Sequence, residues 1–560
     1  MLGEYMKIRK SAFLLGLALI GLLFAGLVYA LTDNLRTDLE EFDQIAAVVN
    51  SNYMEDVNAQ NLVKAGINGM LSILDPYSNY LEPKQYSALM EDTQGQFEGL
   101  GIEISVKEGH LTVISPLEDT PAERMGIQAG DRIVEIEGVS TKGITEEEAV
   151  RKLRGKKRTV VHITVSREGS NQPMEYTIER DVISIKSVPY YGLAADGIGY
   201  IRLNRFSDTS DNELKEAVSE LERKHIKSLI LDLRGNPGGL LTEAVGAANV
   251  FLEPEKLVVA IKGKAKSQNK DFFSIDKPLY PQLPLAVLVD GGSASGSEIV
   301  AGAIQDWDRG VIIGDTTFGK GLVQTIFNLQ DGAGLKLTTA KYYTPSGRCI
   351  QRPEDLKNSG SDTGETVAPD SIKSDFTQIK QKFFTNDGRV VYGGGGITPD
   401  VYIPYPRLSP LEYNLLAKLT FFDFAVHYTA THPNLPKDFE VDENMLAEFK
   451  EFLKTKNFSY QTTSELELEK LKGVVKEEGR SEAVDQKIKE LEDLITAEKE
   501  NDYRKAEAYI KSEIKENILV KLYGQGAKYE GVWFKEHPQI VKAIQILSRP
   551  QEYKTLLSVK

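Results

Sequence analysis

The sequence contains one cysteine, Cys349, among 560 residues, so a disulfide within the chain is excluded. Its six histidines and this cysteine show no structural-zinc spacing, and we expect neither a metal nor a cofactor. A basic surface is missing too, because 82 acidic residues outweigh 67 basic ones and the net charge is −15. Nucleic-acid phosphates require concentrated positive charge, so nucleic acid is excluded as the main partner.

The chain is too long for a single hydrophobic core. With 560 residues, 41% of them hydrophobic, it has the length of two to four domains and the composition of a folded protein. Disorder is therefore excluded as the overall state.

One long apolar run stands near the N-terminus. Residues 12–31 carry no charge and follow a basic segment, residues 1–11, that contains Lys7, Arg9 and Lys10. This length spans a hydrocarbon core, and the basic flank stays on the cytoplasmic side. Because residues 28–30 (V-Y-A) resemble a signal-peptidase site, a cleaved signal is the alternative to the membrane anchor that we favour. Both interpretations predict that the chain after Thr32 is extracytoplasmic, anchored in the membrane or released into the periplasm.

The rest of the chain changes character three times. Residues 35–94 have helical periodicity, and residues 95–180 show short alternating strands between glycine-containing turns. In residues 188–406 strands alternate with helices, which predicts an α/β domain in which the polar stretch 352–387 is a surface insertion. Residues 408–560 predict a helical, highly charged C-terminal domain.

The β-rich region has two motifs in register. A glycine-containing loop, Gly99-Leu100-Gly101-Ile102, precedes a strand, and P-A-E-R-M-G-I-Q-A-G-D-R-I follows at residues 121–133. Together they resemble the PDZ family. Consecutive N–H groups in such a loop converge on one carboxylate, while the strand edge accepts an extended peptide. The resemblance implies that these four loop residues bind a peptide C-terminus.

Three serines lie in a second glycine-rich turn. The segment D-G-G-S-A-S-G-S-E-I, residues 290–299, follows a continuous apolar strand and begins an amphipathic helix. A hydroxyl at this junction lies near the positive end of the helix dipole, which favours a developing alkoxide. Serine is also an ordinary helix-capping residue. The residues alone therefore do not choose among Ser293, Ser295 and Ser297, nor between capping and catalysis.

A lysine between two glycines follows downstream. Lys320 lies in T-F-G-K-G-L-V-Q, residues 317–324, where neither helix propensity nor solubility requires a charge. A lysine serves as a general base only when neutral, which requires burial. All six histidines lie outside residues 226–426, so a serine–lysine pair is the local candidate.

These two segments resemble the carboxyl-terminal processing, or tail-specific, serine protease family of the S41 type. The resemblance implies that Ser295, in S-A-S-G-S-E, is the nucleophile and that Lys320, 25 residues later, is its base. It also implies that Gln324 orients the lysine. Asp306 matches an aspartate implicated in some relatives, and an exposed acid at the end of the helix is the alternative interpretation.

A third segment completes the resemblance. R-G-N-P-G-G, residues 234–239, is an ordinary tight turn by itself, but in the family pattern it supplies a backbone N–H to the oxyanion hole. The candidates are Gly238 and Gly239, together with Gly296. Relatives often carry alanine at the position of Gly296, and glycine there keeps the N–H available.

The resemblance covers residues 35–406 and implies a crotonase-like or ClpP-like α/β core with an inserted PDZ domain. We accordingly expect a serine endopeptidase that cleaves proteins or peptides with free, apolar C-termini. The alternative is a catalytically inactive, membrane-tethered PDZ adaptor, which would not need Ser295, Lys320 and Gln324 together. An acyl-transfer enzyme on the same core has no support, because a PDZ domain implies a peptide ligand. Homo-oligomerisation stays open.

Overall fold

The computed structural model describes residues 36–353, 381–479, 482–499 and 501–558. The predicted membrane or signal segment, residues 12–31, and most of the predicted insertion 352–387 lie outside this part of the chain. Within the described part, no helix combines the length and the apolar character needed to cross a membrane. The described residues divide into two compact units: residues 36–83 and 324–338 form the first, and the other described residues form the second.

The first unit is mainly helical, as the N-terminal pattern predicts. A helix covers residues 36–52, and a second helix, Ala59–Ser72, begins after Asn58, whose side chain accepts hydrogen bonds from the next turn. A short strand, Asn79–Leu81, pairs antiparallel with residues 334–336. The helical periodicity did not indicate this strand.

The β-rich region, in the second unit, forms a sheet around its own core. The strand order is Ile102–Lys107, His110–Pro116, Arg132–Ile136, Val160–Ser166 and Met174–Glu179, with the helices Pro121–Arg124 and Glu146–Leu153. The strand Ile102–Lys107 pairs on one side only, with its neighbour His110–Pro116, and is therefore an edge strand. The strand Gln96–Gly99 pairs separately with Asp181–Ser184.

The α/β core is a six-stranded sheet. Its order is Tyr190–Ala195, Ile198–Arg202, Ser228–Asp232, Leu285–Val289, Val311–Gly314 and Val401–Tyr402. Only the first pair is antiparallel. The central strands are buried at every residue, which explains their continuous apolar sequence, because a parallel sheet is covered on both faces.

Different parts of the chain cover the two faces. One face packs against the helices Ser210–Arg223, Leu241–Asn249 and Gly296–Asp306. The other face packs against residues from the C-terminal region, including Tyr529, Phe534 and Ile540. The predicted helical C-terminal region is confirmed. Its last helices pack against one face of the core sheet instead of standing apart from it.

The C-terminal region also has a core of its own, formed mainly by its first three helices and a later long helix. Its helices are Pro410–Ala417, Thr420–Thr431, Glu443–Thr455, Thr463–Glu477, Glu482–Lys499, Asp502–Lys505, Glu507–Tyr523, Phe534–Glu536, Pro538–Leu547 and Pro550–Leu557. A π-helical turn, Tyr529–Trp533, precedes the last three.

The predicted fold class is confirmed: an α/β core carries a β-rich insertion, with helical N- and C-terminal regions. Three neighbouring parallel strands end at one edge of the core sheet, at Asp232, Val289 and Gly314. The turn 234–239, the serine turn and the lysine segment follow these three strands. Because carboxyl ends of parallel strands share one edge, all three segments meet there.

Candidate active site

Ser295 has an unusual backbone conformation. It precedes the helix Gly296–Asp306 with φ 51° and ψ −109°, a region that residues other than glycine seldom occupy. Its N–H donates to the Glu298 carboxylate at 2.9 Å, while its hydroxyl makes no capping hydrogen bond. Strained backbone of this kind persists only where the surroundings hold it, and it clusters at functional sites.

The three serines of this turn have different environments. Ser293 is fully buried and its hydroxyl donates to the Leu233 carbonyl at 2.8 Å. Ser297 is also fully buried, and its hydroxyl donates to the Asn236 carbonyl at 2.9 Å. Ser295 is half-buried. Two of the hydroxyls therefore hold the turn together, and the third remains accessible.

Glu298 ties the serine turn to the lysine segment. Its fully buried carboxylate accepts from the Thr317 hydroxyl at 2.5 Å and from the N–H groups of Gly319 and Lys320 at 2.7 and 3.0 Å. With the N–H of Ser295 this makes four donors. Burial raises the pKa of Glu298 to about 7, although these hydrogen bonds oppose the rise.

Tyr342 joins the same two segments a second time. Its hydroxyl lies 2.5 Å from the Lys320 carbonyl oxygen and 3.2 Å from the Ser295 carbonyl oxygen. Phe318 adds a backbone bond, its N–H donating to the Ser293 carbonyl at 3.0 Å. The backbones of Ser295 and Lys320 are thus held against each other, and Lys320 itself is half-buried.

The turn 234–239 packs directly on the serine turn, residues 290–299. The Asn236 carbonyl accepts from the Ala294 N–H at 3.0 Å in addition to Ser297. Gly238 has φ 99°, and a Cβ added there would lie 2.8 Å from both the Ser295 Cβ and the Gly296 nitrogen. Only glycine permits this approach.

The N–H groups of the predicted oxyanion hole differ in their partners. Gly238 donates to the Asn236 side-chain oxygen at 2.9 Å. Gly239 instead flanks a bridge in which Phe206 donates to the Gly238 carbonyl and accepts from Leu240. Among the described residues, no hydrogen bond is donated by the N–H of Gly239 or of Gly296. These two groups therefore remain as donors for an oxyanion.

A buried charge pair stands at the base of this turn. Asp232 is fully buried and accepts from Arg234, from Arg202 at 2.8 Å and from the Tyr200 hydroxyl at 2.6 Å. Burial alone would raise the pKa of Asp232, but the two guanidinium groups hold it well below its usual range. The sequence analysis did not single out this pair.

Asp306 lies at the opposite end of the helix that starts beside Ser295. Eleven helical residues place it about 16 Å away along the helix axis. It is not exposed, so the interpretation as an exposed helix-end acid is wrong. Its carboxylate pairs with Arg348 at 2.7 Å, both side chains being fully buried, and accepts from the Ser346 N–H at 2.9 Å. Asp306 thus anchors the loop around residue 348.

Gln324 belongs to the first compact unit. Within that unit its amide nitrogen donates to the Thr338 hydroxyl at 3.3 Å, and the Thr338 hydroxyl donates to Asp75 at 3.1 Å. The Asp75 carboxylate also accepts from Ser78. The turn at residues 75–78, which contains Asp75 and Ser78, therefore fixes this amide.

The loop predicted to bind a carboxylate has its carbonyls engaged. The Leu100 carbonyl accepts from the Ala122 N–H at 3.0 Å, and the Gly101 carbonyl accepts from the Leu117 N–H at 2.9 Å. Among the described residues, no hydrogen bond is donated by the N–H of Leu100 or Gly101. Gly99 is the last residue of the strand that pairs with Asp181–Ser184, and Ile102 is the first residue of the edge strand.

No group of three or more histidine, cysteine, aspartate or glutamate side chains in the described ranges could hold a metal ion. The arrangement instead offers an accessible hydroxyl, a neighbouring lysine and two unengaged N–H groups. These are the parts needed for nucleophilic attack on a carbonyl and for stabilising the resulting oxyanion.

Sequence reasoning missed several residues that hold the site. Glu298 could have been recognised, because S-G-S-E at residues 295–298 has the spacing of a helix capping box. Tyr342 and Asn236 gave no signal of this kind. They act through a hydroxyl and a main-chain carbonyl on segments that are distant in sequence.

Comparison with known protein families gives four matches. Residues 197–358 match Peptidase family S41, and residues 89–166 match the PDZ domain. Residues 411–547 match the "Probable PDZ-protease, C-terminal helical domain". Residues 29–85 match the "Activating protease CtpB N-terminal domain". Two of these matches lie in regions that the sequence analysis described only as helical.

Individual proteins are similar over the same region. A "Carboxy-terminal-processing protease" of Bartonella bacilliformis is 40% identical over 322 residues, 57% of this chain and 74% of the relative. The "Carboxy-terminal processing protease CtpA" of Bacillus subtilis (strain 168) is 37% identical over 305 residues, 54% of this chain and 65% of the relative. A solved "Photosystem II D1 C-terminal processing protease" is 27% identical, with a TM-score of 0.35, over 65% of this chain and 86% of that chain.

Proposed function

The chain belongs to peptidase family S41, the carboxy-terminal-processing serine proteases with a PDZ domain, and from this premise we propose that Ser295 and Lys320 are its catalytic pair. Neutral Lys320 removes the Ser295 hydroxyl proton as the oxygen attacks a peptide carbonyl. The lysine then returns the proton to the leaving amine, and water releases the acyl-enzyme.

The observation that carries this proposal is that the three serines differ in burial and in hydrogen bonding. Ser293 and Ser297 are buried and bonded to main-chain carbonyls, whereas Ser295 is half-buried in a strained conformation. Glu298 and Tyr342 hold its backbone against that of Lys320. A nucleophile and its base need such fixed mutual placement, because loss of alignment costs rate steeply.

We assign the oxyanion hole to the N–H groups of Gly296 and Gly239. Gly238 supports the hole by close packing, since its own N–H is engaged by Asn236. For Gln324, the resemblance supports a role in orienting the lysine.

The PDZ domain selects substrates by their C-termini in this proposal. Leu100 and Gly101 offer N–H groups without partners in the described chain, beside the edge strand Ile102–Lys107. An extended peptide adds to that edge while its terminal carboxylate binds the loop. The expected partners are proteins or peptides with free, apolar C-termini.

We also propose that catalysis takes place outside the cytoplasm. The support is the uncharged run 12–31 behind Lys7, Arg9 and Lys10. Protease added to cells with an opened outer envelope should then digest the chain beyond Thr32. Protection of the whole chain until the cytoplasmic membrane is broken would contradict this location.

The catalytic assignment is tested by comparing neighbouring serines. The full-length protein is incubated with casein as an unfolded substrate, alongside Ser295→Ala, Lys320→Ala, the double variant and Ser297→Ala. We expect each catalytic replacement to lower the rate by about a thousandfold or more, with little further loss in the double variant. Ser297→Ala is the neighbouring-serine comparison. It loses a buried hydrogen bond to the Asn236 carbonyl but neither the nucleophile nor the base, so its rate should fall far less than that of Ser295→Ala.

Two outcomes would overturn the assignment. Activity retained by Ser295→Ala but lost in Ser297→Ala would show that the nucleophile is the wrong serine. A wild-type protein that binds C-terminal peptides without cleaving casein or any other unfolded protein would favour the inactive adaptor.

A further inference from the structure

One residue of the C-terminal region contacts Arg234, the first residue of the turn 234–239. Gln539 lies in the first turn of the helix Pro538–Leu547 and is 1% exposed. Its side-chain oxygen accepts from Arg234 Nη1 at 2.8 Å, and its side-chain nitrogen donates to the Ile403 carbonyl at 2.9 Å. Both ends of the amide are therefore engaged, so its orientation is fixed.

The hydrogen-bond donors of the Arg234 guanidinium show what the contact with Gln539 adds. Nε lies 2.9 and 3.0 Å from the two carboxylate oxygens of Asp232, and Nη2 lies 2.5 Å from one of them. Nη1 donates to Gln539. Arg234 is buried, with 6% of its surface exposed, so an unbound Nη1 would carry a desolvation cost. Gln539 satisfies the side of the guanidinium that faces away from Asp232.

Arg234 is also the first residue of the turn that meets the nucleophile. Its main-chain N–H donates to Asp232 at 3.0 Å, and the next residue, Gly235, donates to the Asp290 carboxylate at 2.8 Å. Two residues later, the Asn236 carbonyl receives the N–H of Ala294 and the hydroxyl of Ser297. A shift of Arg234 is thus transmitted directly to the backbone that carries the oxyanion hole.

We propose that Gln539 is a positioning residue for the reaction, by which the C-terminal helical domain fixes the turn 234–239 and with it the oxyanion hole. The inference rests on the proposed function, since it concerns the same site. Gln539 touches no substrate. It acts through Arg234, and its loss should affect the transition state rather than substrate capture.

The amide is suited to this task, and a carboxylate is not. A glutamate at this position would attract the same guanidinium as Asp232 and could not donate to the Ile403 carbonyl. An apolar side chain would leave both Nη1 and that carbonyl without partners in a buried setting. Gln539→Met, which keeps length without hydrogen bonds, is therefore the informative substitution, and Gln539→Ala is the second variant.

Tyr553 offers a matched control. Its hydroxyl also joins the C-terminal domain to the core sheet, accepting from the Leu285 N–H at 3.0 Å. Leu285 begins its strand, at the end opposite the serine turn. Tyr553→Phe removes two buried domain-to-core hydrogen bonds, since the hydroxyl also donates to the Leu285 carbonyl at 3.3 Å. It leaves Arg234 untouched, so it reports the cost of loosening the domain alone.

The experiment measures kcat and KM of the full-length variants with a fluorogenic peptide carrying a free C-terminus. Inhibition by a peptide boronate, whose tetrahedral adduct needs the oxyanion donors, is measured in parallel. For Gln539→Met we expect kcat to fall about tenfold or more, KM to change less than about twofold, and the boronate to weaken in step with kcat. Tyr553→Phe should keep kcat within about twofold. Thermal unfolding of each variant records its folding.

Each outcome of this experiment supports or overturns a stated proposal. Equal kcat in Gln539→Met, Gln539→Ala and Tyr553→Phe would overturn the proposal, as would a loss confined to KM. Failure of both Gln539 variants to fold, with a folded Tyr553→Phe, would make Gln539 a stability residue and also overturn it. A wild-type protein that cleaves nothing would instead refute the proposed function, a result distinct from the others.

Discussion

Two glycine-containing turns of this protein are proposed to bind anions, and they are built in similar ways. In the PDZ loop the carbonyls of Leu100 and Gly101 accept hydrogen bonds from residues 122 and 117. In the catalytic turn the carbonyls of Asn236 and Gly238 accept from the nucleophile segment and from Phe206. Because the carbonyls are engaged on one side, the N–H groups are left for a ligand on the other.

The two turns differ in what holds them. Gly101 packs on a neutral side chain, Thr120, whose hydroxyl donates to the Gly101 carbonyl at 3.2 Å. The catalytic turn is held by buried charges, Asp232 with Arg234 on one side and Glu298 on the other. In the proposed function, a stable carboxylate needs only correctly placed donors, whereas a short-lived oxyanion needs donors that do not move.

The largest effect should come from breaking the catalytic turn. Gly238→Ala places a Cβ 2.8 Å from backbone and side-chain atoms of the nucleophile turn, at φ 99°. We expect casein cleavage to fall about a hundredfold or more. Gly291→Ala is the control, because no atom lies within 4 Å of its added Cβ. Comparable activity in both variants would mean that the close contact is unimportant.

The charged anchor of the catalytic turn should make its stability depend on pH. The folded-state pKa of Glu298 is raised by burial to about 7, above the ordinary value of 4.5. The stabilisation that protonated Glu298 gives to the folded state is therefore fully present below about pH 4.5 and is lost as pH rises through 7. We expect the free energy of unfolding of the wild type, relative to Glu298→Gln, to fall by up to about 1.4 kcal/mol per pH unit in that window.

Denaturant unfolding of both proteins at pH 4.5, 6 and 8 measures this difference. A constant difference across the series would show that Glu298 keeps its ordinary pKa. The PDZ loop, with its neutral threonine anchor, provides the internal contrast: Thr120→Ser should show no such dependence on pH.

The smallest effect should appear in substrate capture. Amidating the C-terminus of a peptide substrate removes a charge-assisted hydrogen-bond acceptor, so kcat/KM should fall about tenfold. Gly101→Ala should abolish this preference, since its Cβ would lie 2.3 Å from the Thr120 Cβ. Gly109→Ala, at a similar φ of 78° but with no atom within 4 Å, should keep it. Equal rates on acid and amide by the wild type would refute tail recognition.

The sequence predicted those features that local pattern controls. Continuous apolar strands indicated the parallel core, and alternating strands with a glycine loop indicated the PDZ domain. The motifs around Ser295 and Lys320 pointed to the two segments that the fold brings together. In each case neighbouring residues in the chain carry the information.

Features that depend on distant partners escaped prediction. The burial of Asp306 depends on Arg348, and the contact of Arg234 with the C-terminal domain depends on Gln539. A single sequence gives no measure of such pairings. The strand Asn79–Leu81 was missed for the same reason, because its partner lies at residues 334–336.

Residues near the C-terminus cover one face of the core sheet, so that face is covered only late in synthesis. Ile230, Leu288 and Ile313 lie on the face that packs against Tyr529 and the helices after it. A ribosome makes these strands well before the residues that cover them. Until those residues arrive, the sheet keeps one apolar face in water and the turn at Arg234 lacks its last partner. Because we propose that Gln539 fixes this turn, we expect the nascent chain to become active only after its last helices are made.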